Sequence, residues 1–247
     1  MLTLPPHPTA YYVKTGALLL TVVGAAVSGA VRYRHLPPNL RYLAWLTWFE
    51  LPLEILAVWL GIFKRNNLFI MPFYTVGELG LLALVYSHTL PSAAFKRVVT
   101  WLVAGFATYT LADNLLAPDL TWFKPGQQVI QSLLILGMVE QYFQRLLKEL
   151  WVPHLERVPM FWVSVGLAFY FLGYLQIALF SNYMLQHYSM EFNRTIWTIE
   201  HYLALLLHSC FGAAILLAPQ HQSTGQQTIA EQEAYRLPGI PAYKKKL

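Results

Sequence analysis

The chain is short of charge, of cysteine and of any catalytic signature, and each shortage narrows what it can be. Charged residues make up only 12% of it, about half the proportion usual in soluble domains. The single cysteine, Cys210, excludes an internal disulfide framework. It reads as a small apolar residue of a buried helix. No phosphate loop, dinucleotide fingerprint, serine elbow or nucleic-acid motif occurs, so nucleic acid is not an expected partner. What is abundant is apolar: 56% of the 247 residues are hydrophobic. They recur in runs of about 20, the length a helix needs to cross a bilayer.

Seven such runs are legible, at 11–31, 40–63, 68–88, 97–117, 126–148, 159–181 and 195–217. Polar, proline-bearing breaks such as "RHLPPN", "TLPSAAFKR" and "WVPHLERVP" separate them. Backbone in lipid must satisfy its own hydrogen bonds, so each run is expected to be helical. The predicted fold is an all-α membrane protein, a seven-transmembrane helix bundle filling residues 1–217. Alternating loops divide the basic residues unequally. Arg32, Arg34, Arg41, Lys96, Arg97, Arg145, Lys148, Arg157, Arg236 and Lys244 to Lys246 fall on one side, and Lys14, Lys64, Arg65, Lys124 and Arg194 on the other. The positive-inside rule then puts the N-terminus outside and the C-terminus in the cytoplasm of a plasma (inner) membrane. The start, "MLTLPPHPTAYY", lacks a basic region ahead of a short apolar one, so the first span is expected to be retained. Residues 218–247, glutamine-rich and then "LPGIPAYKKKL", predict a disordered, basic cytoplasmic tail able to touch anionic lipid.

Acids are where the pattern breaks. Of 12 Asp and Glu, six fall inside the runs: Glu50, Glu54, Glu78, Asp113, Glu140 and Glu200. No lysine or arginine lies deep in a run to neutralise them. A charged, solitary carboxylate at mid-membrane costs several kcal/mol. The acids therefore carry protons, bind a cation or metal, or face a water-filled cavity. Glu50 and Glu54 share a helix face at the i,i+4 spacing, as do Tyr74 and Glu78, while Pro52 frees the carbonyl of Trp48. His201 neighbours Glu200, and His208 follows seven residues later on the same face. These residues predict an outward-leaning polar pocket between spans 2, 3 and 7, with span 4 at its rim. It would bind a ligand or protons through Glu50, Glu54, Glu78, Asp113, Glu140, Glu200, His201 and His208. The bland alternative is interhelical hydrogen-bond glue worth about 0.6 to 2 kcal/mol per contact. His201, His208 and Glu78 are candidate metal ligands, although no HExxH, ExxH or HxxxH spacing sharpens them. Whether a cofactor is held stays open. Covalent retinal is excluded, because the last span has no lysine to form the Schiff base.

The size, the topology and the segment "PFYTVGELGLLALVY" of span 3 together resemble the seven-helix membrane halves of bacterial sensor histidine kinases and their stand-alone relatives. The resemblance covers residues 11–217 and lends no site residue. It implies a sensing or partner-binding module whose basic inner face meets a cytoplasmic or membrane protein. Three roles are consistent with the residues: a non-enzymatic sensor or accessory protein, a proton- or cation-coupled transporter relaying through Glu50, Glu54 and Glu78, and a metal-dependent membrane enzyme.

Overall fold

A computed structural model describes residues 8–63, 65–116, 123–148 and 155–219. Among these the chain forms seven long helices and no strand. They are α1 (Pro8–Arg32), α2 (Pro38–Ile62), α3 (Met71–Thr89), α4 (Ala93–Leu116), α5 (Pro125–Lys148), α6 (Pro159–His187) and α7 (Met190–Leu217). Each falls on one predicted run. Prolines set several of the starts: Pro38, Pro72 and Pro159 stand in the first turns of α2, α3 and α6, where no amide donor is lost. α6 continues past residue 181 to His187, and α7 already starts at Met190. The break between them is short because Ser189 caps α7, its side chain accepting the Phe192 amide at 3.2 Å. The predicted tail lies, beyond residue 219, outside the described residues.

Five helical segments are long and apolar enough to cross a membrane: Tyr12–His35, Pro38–Ile62, Leu68–Thr89, Pro159–Ser181 and Glu191–Leu217. The two other helices, α4 and α5, are 24 residues each but more polar. α5 owes this to Gln127, Gln128, Gln131 and Ser132, all buried, so its polar stripe turns inward. Large apolar side chains cover the outside of the bundle instead, among them Leu20, Trp59, Phe73, Trp101, Leu115, Phe169 and Leu216. An apolar exterior around a partly polar interior suits lipid rather than water as the solvent. The chain is a helical membrane protein.

The helices pack as a ring in the order α1, α2, α3, α5, α6, α7, which closes back on α1, while α4 lies outside against α3. Arg32, at the end of α1, closes the ring at one end. Its guanidinium donates to the Leu216 and Ala218 carbonyls at the end of α7, the second at 2.8 Å. Those carbonyls have no partner within the helix, and a cation suits the negative pole there. α6 and α7 approach closely through glycines: a Cβ added at Gly166 would lie 2.8 Å from the Cys210 Cβ. Small residues let membrane helices meet in this way.

Candidate functional site

Consecutive helices joined by short connections run antiparallel, so the bundle has two distinct ends. One gathers the starts of α1, α3, α5 and α7 with the ends of α2 and α6. The opposite half is tightly packed. Leu43, Leu46, Leu79, Leu82, Ile135, Val163, Leu167, Phe211, Ala214 and Ile215 fill it, every one of them at most 1% exposed. Tyr86 and Ser164 bridge α3 to α6 inside it with a 2.8 Å hydrogen bond. The half nearer the N-terminus instead holds a cavity of about 320 Å³.

Six helices line this cavity. From α1 come Thr15 and Leu18. From α2 come Leu53, Glu54, Ala57 and Val58. α3 contributes Met71, Tyr74, Thr75 and Glu78, and α5 contributes Gln128 and Gln131. Tyr170, Phe171 and Tyr174 project from α6; Trp197, Glu200, His201, Ala204, Leu207 and His208 from α7. The cavity is thus broader than a cleft between α2, α3 and α7. α4 supplies none of its described wall.

The acids divide into two groups. Glu54, Glu78 and Glu200 stand on the cavity wall. Glu78 is 3% exposed, and its Oε2 accepts a hydrogen bond from Gln131 Nε2 at 2.7 Å. Glu54 makes no hydrogen bond among the described residues, yet it lies within the electrostatic reach of His208, Glu50, Glu200 and His201. Glu200 Oε2 is 3.1 Å from His201 Nδ1, and its Oε1 accepts weakly from the Tyr170 hydroxyl at 3.5 Å. His201 Nδ1 also meets the Trp197 carbonyl at 2.8 Å. A carbonyl only accepts, so Nδ1 carries the proton and Nε2 is left for other contacts.

Glu50 sits behind the wall, wholly buried, with its Oε2 3.3 Å from His208 Nε2. The separation suits an ion pair, but the alignment fails for a hydrogen bond, and both Glu50 oxygens lack a donor. His208 Nδ1 faces the Ala204 carbonyl at 2.7 Å and must be protonated. Nε2 and Oε2 are then two acceptors facing each other unless one further proton lies on the pair. With that proton the pair is neutral overall, the tolerable state for two groups removed from water.

Asp113 and Glu140 are elsewhere. Asp113 ends α4, where its Oδ2 accepts from Gln127 Nε2 at 2.6 Å and pairs with Lys124 Nζ at 3.2 Å. Glu140 is exposed and accepts from Gln144 Nε2 at 2.9 Å on the same helix. Neither lines the cavity. Among the described residues no three His, Cys, Asp or Glu side chains converge as metal ligands. His201 and His208 share the cavity with Glu78 without forming such a set.

Sequence reasoning passed over the cavity's other half: Gln128, Gln131, Tyr170, Tyr174 and Trp197. The run "GQQVIQS" at 126–132 carried a signal, because three glutamines and a serine in one turn-and-a-half of an expected span need an inward partner. The tyrosines gave none, since aromatics are common throughout the chain. The chain matches no family model, and no curated protein or solved structure is significantly similar to it.

Proposed function

We propose that the protein is a non-enzymatic sensor or accessory module of the plasma membrane. All seven helices span, the N-terminal end with its cavity faces outward, and the opposite end faces the cytoplasm. The observation that carries this reading is the one-sided interior: an acid-lined cavity in one half, an apolar plug in the other. A solute entering the cavity meets side chains able to recognise it but no continuation. The charge distribution supports the orientation. Arg32, Arg34, Arg41, Lys96, Arg97, Arg145, Lys148 and Arg157 all belong to the plugged end, against Lys14, Arg65, Lys124 and Arg194 at the cavity end. The plugged end is accordingly the surface offered to a cytoplasmic or membrane protein partner.

A transporter would need the cavity to connect alternately to both sides. Proton flux into liposomes containing the purified protein separates the two roles. The sensor reading expects no sustained flux above that of empty liposomes, for wild type and Glu78→Gln alike. Sustained flux that the substitution abolishes would replace it with the transporter.

A further inference from the structure

The cavity's composition goes further than its position and, resting on the sensor reading, bears on what enters it. Three carboxyl groups, Glu54, Glu78 and Glu200, share its wall, and among the described residues no lysine or arginine does. The nearest basic residue on α1, Lys14, is engaged elsewhere: its Nζ reaches Thr198 Oγ1 at 3.4 Å and lies 5.9 Å from the Tyr202 ring. The carboxyls are dispersed rather than gathered, so a bare metal ion is too small to satisfy them together. Aromatic rings share the wall with them. Tyr170 and Tyr174 stack with centroids 5.6 Å apart and planes within 8°, and Trp197 is steadied edge-on by Phe123 at 5.5 Å. Two polar atoms of wall residues are buried without a hydrogen bond, Thr15 Oγ1 and His208 Nε2. His208 is 3% exposed and its Nε2 has no aligned partner.

Carboxylates that share a wall with aromatic rings, with no lysine or arginine beside them among the described residues, match one chemistry. A charged nitrogen on an apolar body pairs with carboxylate oxygens and rests on ring faces, and both attractions strengthen away from water. The volume of about 320 Å³ lies at the small end of ligand pockets. It equals roughly ten waters at about 30 Å³ each. We infer that the cavity binds a small organic ammonium compound, with Glu54, Glu78 and Glu200 as its counter-charges and Tyr170, Tyr174 and Trp197 as its ring contacts. The nitrogen can belong to a free amine or to an ammonium lipid headgroup. The chemistry at the cavity is the same for both.

The test uses the full chain in nanodiscs of phosphatidylglycerol, which carries no ammonium group. Three probes of one shape are titrated by calorimetry: phenethylamine, 2-phenylethanol and 3-phenylpropionate. The inference expects phenethylamine to bind at least about ten-fold more tightly than either of the others. Glu78→Gln and, separately, Trp197→Leu should each weaken the amine about ten-fold while leaving the alcohol within a factor of about two. If the alcohol or the carboxylate binds as well as the amine, the ammonium assignment is overturned and the ligand-binding reading survives. If no probe binds to folded wild-type protein, both are overturned. Repeating the amine titration with phosphatidylethanolamine in the discs distinguishes the sources. Competition there identifies a lipid headgroup as the occupant, and unchanged affinity a free amine. Amine and alcohol are compared on the wild-type chain, so the outcome does not depend on either variant folding.

Discussion

Glu78 and Glu140 were equally conspicuous in the sequence, and their fates differ for a simple geometric reason. Glu140 lies nine residues after Gln131 on α5, which is about two and a half turns at 3.6 residues per turn. With Gln131 pointing at Glu78, Glu140 must point away, and it does. The presence of an acid in a span was legible; the rotation of α5 could have been read only from its glutamine stripe, and α2, α3 and α6, apolar nearly all round, offer no such cue. Burial of Glu78 makes its donor Gln131, the one among the described residues, matter. Gln131→Leu strands the Oε2 acceptor and is expected to cost about 1 to 3 kcal/mol. Glu78→Gln keeps an amide oxygen for Gln131 and should cost less, about 0.6 to 2 kcal/mol. Thermal unfolding in detergent ranks the two. A larger loss for Glu78→Gln would mean that the carboxyl has a stabilising partner beyond Gln131.

At the scale of elements, the seven helices were readable because apolar runs and proline breaks alternate cleanly, and the residues that end one helix begin the next. The ring order was not readable. Nothing in "TLPSAAFKR" tells that α4 will lie outside and leave α3 to meet α5. That exchange is what carries Gln128 and Gln131 to the cavity and keeps Asp113 with Lys124 at the rim of the bundle. Contact between α6 and α7 depends on the absence of a side chain at Gly166. Its missing Cβ would meet the Cys210 Cβ, an atom fixed to the backbone that no rotamer change can move. Gly166→Ala is therefore expected to destabilise by about 1 to 3 kcal/mol. Cys210→Ala in the same chain should not restore stability, because it keeps the clashing carbon. Cys210→Gly should restore part of it, and a double-mutant cycle on unfolding temperatures measures the coupling. Additive effects would show that the helices simply move apart.

For the molecule as a whole, the central claim is asymmetry: a cavity reached from the end bearing the N-terminus, above a plug that seals the other. The acids were visible in the sequence, and Glu54, Glu78 and Glu200 line a cavity in the half nearer the N-terminus. The sequence could not foretell that an apolar layer closes the path beneath them, since Leu79, Leu82, Ile135 and Leu167 look like any other membrane leucines and isoleucines until six helices bring them together. Cysteine accessibility reads this asymmetry directly. In a Cys210→Ala background, Ala57→Cys places a thiol on the cavity wall and Ala214→Cys places one in the plug. A membrane-impermeant trimethylammonium methanethiosulfonate is added to intact cells or to inverted vesicles, with an N-terminal tag reporting sidedness. The account predicts that Ala57→Cys reacts only from the side of the N-terminus, outside the cell, and that Ala214→Cys reacts from neither. Reaction of Ala57→Cys from the cytoplasmic side, or of Ala214→Cys from either side, would contradict it.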